Sequence, residues 1–123
     1  MIKGLGIDVV EIDRIRQAIA RFGVHFSKRI LTEYEYGRMP AVSDSYTAAR
    51  FAAKEAAVKA LGTGFSNGIG MQHIEIQNSA SGAPNIQFFG PALERMNALG
   101  ARKAHVSLTH GRDTAAAVVI LED

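Results

Sequence analysis

Four side chains suited to phosphate and metal chemistry, Arg50, Lys54, Glu55 and Lys59, fall within ten consecutive positions. They stand in the run Arg50-Phe51-Ala52-Ala53-Lys54-Glu55-Ala56-Ala57-Val58-Lys59-Ala60-Leu61-Gly62-Thr63-Gly64. Alanine is the strongest helix former and fills little space, so the charged groups project from a thin, stiff rod that runs into a glycine loop. Three cations and one carboxylate on such a rod suit a ligand with several phosphates and a metal ion. The same spacing also fits a solvated helix face, with Glu55 and Lys59 paired at i,i+4 for only about 0.3–0.5 kcal/mol.

A second carboxylate, Asp8, lies in Gly4-Leu5-Gly6-Ile7-Asp8-Val9-Val10-Glu11-Ile12. Alternation places Leu5, Ile7 and Val9 on one face of a strand and Gly4, Gly6 and Asp8 on the other. The glycines leave that second face open to a ligand or another backbone. Two carboxylates without cysteine select a hard cation, and Mg²⁺ is the usual choice beside phosphates. Asp8 equally fits a strand-end residue that accepts from a backbone N–H. Gly62, Thr63 and Gly64 open a loop with Ser66, Asn67 and Gly68, whose amides could cradle a phosphate. That loop lacks the lysine-serine ending of a P-loop and also fits a helix cap and turn. His105, Ser107, Thr109 and His110 gather near one strand end; His105 suits an anion contact, proton transfer or a plain surface position.

The elements that must position these groups follow from pattern. Ile2 to Ile12 reads as a strand. Asp13 is placed to cap a helix in which Ile12, Ile15, Ile19 and Phe22 share a face and Gly23 stops the chain. Phe26, Ile30 and Leu31 mark a second short helix, and Thr32 to Glu35 opens a third that ends near Pro40. The long helix runs from Ser45 or Thr47 to Leu61. Met71 to Gln77 and Asn85 to Phe89 read as a hairpin around Gly82. Pro91 to Leu99 is a helix stopped by Gly100. Lys103 to Thr109 and Thr114 to Leu121 are two more strands. The order predicts an α+β fold, one domain over 1–123, with a mostly antiparallel sheet packed against one long helix and shorter helices.

Composition narrows the classes. A chain of 123 residues with 47% hydrophobic content is long and apolar enough for one core. Without cysteine, disulfides, thiolate zinc sites and cysteine nucleophiles are excluded, which fits a cytoplasmic location. No apolar stretch approaches a membrane span, and Asp8, Glu11 and Asp13 interrupt any signal-peptide pattern. The net charge is only +2, but Arg14, Arg16, Arg21, Lys28 and Arg29 form a basic segment without an acidic residue. Such a segment steers acidic partners, or is a solvated helix face.

Taken together, Gly4 to Ile15, Arg50 to Gly64 and His105-Val106-Ser107-Leu108-Thr109-His110 resemble the holo-acyl-carrier-protein synthases, small bacterial phosphopantetheinyl transferases. The likeness covers nearly the whole chain, and the first two motifs carry most of it. It implies transfer of the phosphopantetheine arm of coenzyme A to a serine of an acidic apo acyl carrier protein in fatty acid biosynthesis, releasing adenosine bisphosphate. By that likeness Asp8 and Glu55 are the Mg²⁺ carboxylates. Glu55 and Lys59 are catalytic, with Lys59 near the pyrophosphate and Glu55, or a water it orients, taking the serine proton. Arg50 and Lys54 are phosphate-side cations. Gly62, Thr63 and Gly64 touch the nucleotide through their backbone, and His105 is a further coenzyme contact. Arg14 and Arg21 meet the carrier protein. The likeness also implies a homotrimer with sites between neighbouring chains, and leaves open whether Asp8 and Glu55 come from one chain or two.

The turn Gly82-Ala83-Pro84 lacks a lysine that the family often has there, which removes one basic contact on that side. A non-catalytic module that binds an acidic protein or a nucleotide would keep the fold and the basic helix without needing a metal-activated hydroxyl. A nucleic-acid binder fits less well, because no aromatic or polar base-reading set accompanies the arginines.

Overall fold

Alanine decides how closely the long helix approaches the sheet. The computed structural model describes residues 1–123. It runs β1 (Ile2–Glu11), α1 (Ile12–Phe22), α2 (Val24–Ile30), α3 (Glu33–Gly37), α4 (Asp44–Leu61), a 3₁₀ turn (Met71–His73), β2 (Ile74–Asn78), β3 (Pro84–Phe88), α5 (Gly90–Ala98), β4 (Lys103–His110) and β5 (Thr114–Glu122). The strands form two antiparallel sheets, one ordered β1-β5-β4 and one a β2-β3 hairpin. This is the α+β arrangement expected.

All seven alanines of α4 are buried, and the helix lies along β1 and β5. The close approach is reciprocal. A Cβ placed on Gly6 would collide with the carbonyl oxygen of Ala56, and one on Gly4 with that of Ala60. Of the two visitors that the glycine face admits, a ligand or a backbone, the backbone of α4 is the one present. Val10, Ala115, Ala117, Val119 and Leu121 complete the inner face of the three-stranded sheet.

The outer face is apolar too. Leu5, Ile7 and Val9 are each more than 60% exposed, beside half-buried Val118 and Ile120. Monomeric soluble proteins rarely leave such a stripe uncovered.

Three local readings are corrected. Asp13 does not cap α1: the N-cap is Glu11, without a side-chain bond, and Asp13 sits in the first turn, accepting from Arg16 and Gln17. Phe22 stays in register with the apolar row of Ile12, Ile15 and Ile19 but is 55% exposed, so the row is not buried to its end. The first three residues of the expected strand at Met71 form the 3₁₀ turn instead, closed by the His73 amide donating to the Gly70 carbonyl.

Candidate active site

Asp8 lies on the helix side of β1, and Glu55 and Lys59 lie one turn apart on α4. Lys59 Nζ donates to Asp8 Oδ1 at 2.9 Å and to the Ile7 carbonyl at 3.1 Å. Asp8 is largely covered, whereas Lys59 keeps about half its side chain in solvent. Burial, and then the charge of Asp8, raise the Glu55 pKa above the ordinary carboxylate value; Lys59 opposes the rise. The Asp8 charge disfavours ionisation of Glu55, so the two carboxylates, with an ammonium at their edge, form a site that an added cation would stabilise. All three side chains belong to one chain.

The donor set fits Mg²⁺. It offers hard oxygens and no sulfur, and no group of three His, Asp or Glu side chains makes a self-sufficient cage. Such a site leaves room for phosphate oxygens and waters, which is how Mg²⁺ is usually held.

Arg50, about two and a half turns before Lys59 on the same helix, is stacked on the Tyr46 ring with its guanidinium carbon 3.7 Å from the ring centre. Its Nη1 donates to the Tyr46 carbonyl at 3.4 Å, and its Nε is buried without a protein partner. Its Nη2 reaches Asn78 Oδ1 at 3.5 Å. Sequence reasoning missed Tyr46, although its i,i+4 spacing to Arg50 is visible in the chain.

Lys54 departs from expectation. It is fully buried, and its Nζ donates to Glu35 Oε1 at 2.7 Å, the Ile30 carbonyl at 2.6 Å and the Met71 carbonyl at 3.1 Å. An ammonium has three protons, and these partners take all of them. Burial lowers its pKa, with the Glu35 charge pulling the other way. Lys54 is therefore an internal anchor and not a phosphate-side cation.

The loop after α4 is also corrected. The Gly62 amide donates to Lys59, and those of Thr63 and Gly64 to Val58, closing the helix end with Gly62 in the left-handed conformation. Arg95 Nε adds a bond to the Leu61 carbonyl at 2.9 Å. The Gly62, Thr63 and Gly64 amides are thus occupied by the cap and do not cradle a phosphate in this conformation.

His105 shares a cross-strand row with Ile120 and Leu5, so it faces outward, away from Asp8. Its Nε2 lies 2.8 Å from Glu122 Oε1, a bond that lowers the Glu122 pKa. Arg14 and Arg21 are exposed on α1, and neither has a carboxylate partner; Arg21 rests against Phe22. Arg16 between them is engaged by Asp13 and Asp44.

Comparison with known proteins identifies the family. Residues 4–119 match the model of the 4'-phosphopantetheinyl transferase superfamily. The chain is 60% identical to the holo-[acyl-carrier-protein] synthase of Nitratidesulfovibrio vulgaris, over 99% of both chains. It superposes on the crystal structure of the Neisseria meningitidis holo-[acyl-carrier-protein] synthase with a TM-score of 0.90, at 37% identity and full coverage of both. The Helicobacter pylori enzyme, solved in complex with coenzyme A, matches with a TM-score of 0.85 at 32% identity, over 96% of this chain and 99% of that one. This chain therefore belongs to the 4'-phosphopantetheinyl transferase superfamily, among the enzymes of the holo-[acyl-carrier-protein] synthase type.

Proposed function

We propose that the whole chain, 1–123, acts as one cytoplasmic catalytic domain in fatty acid biosynthesis. It moves the 4'-phosphopantetheine arm of coenzyme A to a serine of an acidic apo acyl carrier protein. The observation that carries this reading is the Asp8–Lys59–Glu55 cluster.

The serine oxygen attacks the phosphorus that bears the pantetheine arm. The bond from that phosphorus to the bridging oxygen breaks, and adenosine 3',5'-bisphosphate leaves. Phosphoryl transfer of this kind needs positioning and charge neutralisation more than covalent help. Asp8 and Glu55 are the residues that would hold Mg²⁺, which when bound neutralises the pyrophosphate. Glu55, directly or through a water it orients, accepts the serine proton. Lys59, half in solvent, neutralises charge on the departing phosphate. Arg50 holds a second phosphate, kept in plane by Tyr46.

A homotrimer completes the site. Leu5, Ile7 and Val9 offer an uncovered apolar face for the contact. His105 lies on that outer face and Asp8 on the inner one, so one coenzyme meets both when neighbouring chains contribute one each. Arg14 and Arg21, unpaired on α1, receive the acidic carrier.

The test is a mass measurement. The protein is incubated with coenzyme A, Mg²⁺ and an apo carrier protein. A gain on the carrier equal to the phosphopantetheine arm is expected. Binding of the carrier without a gain would replace the enzyme by an adaptor module.

A further inference from the structure

The deepest charges in the molecule lie behind the site. Glu35 and Lys54 are fully buried and 2.7 Å apart. Lys54 closes the Ile30 carbonyl at the end of α2 and the Met71 carbonyl of the 3₁₀ turn. Glu35 Oε1 accepts from the Thr32 amide at 2.8 Å, and Oε2 from the Ile76 amide of β2 at 2.7 Å. Tyr46, which carries Arg50 on its ring, donates its hydroxyl to the Glu35 carbonyl at 2.6 Å. One ion pair thus ties together α2, the cap of α3, the 3₁₀ turn, β2 and α4.

A buried ion pair is a weak source of net stability, and apolar residues of similar volume often replace one without loss. What this pair holds is the better account of it. Lys54 immediately precedes Glu55, and successive residues on a helix point about 100° apart. The turn that presents Glu55 toward Asp8 is therefore anchored through Lys54 to the segment bearing Lys28 and Arg29.

We propose that Glu35 and Lys54 are a positioning pair that fixes the Glu55 turn of α4 against α2 and β2, so that the basic helices and the reacting carboxylate keep one spacing. This rests on the role given to Glu55 above. Neither residue touches substrate; both act through Glu55.

The test uses the full chain with Glu35→Gln and, separately, Lys54→Met. Each is assayed well below its own melting temperature, with activity expressed per folded molecule and backbone amide exchange measured alongside. Small misplacements of reacting groups cost up to 10²-fold, so kcat is expected to fall roughly 10- to 100-fold. The amides of Thr32, Ile76 and Glu55 are expected to exchange faster together. Wild-type kcat per folded molecule, with Glu55 exchange unchanged, would overturn the proposal even if the melting temperature dropped. If neither variant folds, native-state exchange of the unmodified protein decides. One shared opening free energy for Thr32, Ile76 and Glu55 supports a single locked unit, and separate values overturn it. A wild-type protein that transfers nothing defeats the transferase reading instead. The exchange data then judge the pair by themselves: faster exchange at Glu55 in the variants upholds the tether, and none refutes it.

Discussion

Asp8 raises the Glu55 pKa, and of the two carboxylates only Asp8 receives a bond from Lys59. That asymmetry leads to two expectations at the residue scale. Asp8→Ala or Glu55→Ala should remove most turnover while preserving the fold. Loss of a general base alone costs roughly 10²–10⁴-fold, and loss of the cation site adds to it. Near-normal rates at ordinary Mg²⁺ would contradict the assignment. The second concerns pH. Burial and Asp8 raise the Glu55 pKa, so below that value Glu55 is protonated and cannot accept a proton. In metal-free protein Glu55 should therefore take up its proton on acidification at a higher pH than an ordinary carboxylate does. Asp8→Asn removes one cause of the rise, so in metal-free protein the Glu55 pKa should move down toward its usual value, as followed by carboxyl-carbon NMR. Part of this scale was legible in the chain: residue type paired Asp8 with Glu55, and the family resemblance added Lys59, whose bond to Asp8 appears only in the fold. Lys54 was not. Its burial depends on Glu35, which is 19 residues away in sequence, and no helical periodicity reveals a partner on another element.

At the scale of elements, α1 is a face with a division of labour. Arg16 is bound to Asp13 and Asp44, whereas Arg14 and Arg21, two turns apart, stay unpaired. Reversing both of the latter charges should raise KM for the carrier and flatten its salt dependence, leaving coenzyme A affinity nearly unchanged. A fall in coenzyme A affinity with carrier affinity intact would assign the face to the coenzyme. The contact of β1 with α4 gives a different test. Gly6→Ala meets a carbonyl oxygen of the helix and forces the two elements apart. Overpacking of this kind costs about 1–3 kcal/mol, visible as a lower Tm. Because Asp8 and Lys59 bridge the same two elements, kcat should drop as well. The strands, helices and their order were readable from alternation, glycine stops and the capping signal Thr32–Glu35. Which face of β1 turns inward was less readable. The apolar residues Leu5, Ile7 and Val9 lie outside because the backbone of α4 approaches β1 too closely at Gly4 and Gly6 for any side chain there. The amides after Leu61 were read as free because the sequence does not show that the helix end will claim them.

For the whole molecule, the uncovered sheet face and the outward His105 are the grounds on which an assembly of several chains is proposed. Ile7→Glu places a charge at the centre of that face. It should convert a trimer into monomers by light scattering and abolish most turnover. A wild-type protein that is monomeric at working concentration would remove the basis for a shared site. Subunit exchange refines the point. Asp8 and Glu55 reside in one chain, so mixing Asp8→Ala with Glu55→Ala leaves a lesion in every site and should restore nothing. Mixing His105→Ala with Glu55→Ala should restore activity at interfaces where one chain gives an intact His105 and its neighbour an intact Glu55. Failure of the second mixture in a proven trimer would return His105 to the surface role that its Glu122 contact also supports.

The seating of α4 on Gly4 and Gly6 has a genetic consequence. Most tight contacts in a core are between two side chains, so a residue that grows too large can be accommodated when its neighbour shrinks. Here the neighbour is alanine, already minimal, and the atom in the way is its main-chain oxygen. No coding change at Ala56 or Ala60 removes that oxygen. A selection for growth that starts from Gly6→Ala should therefore return revertants at codon 6 and no compensating changes at codons 56 or 60.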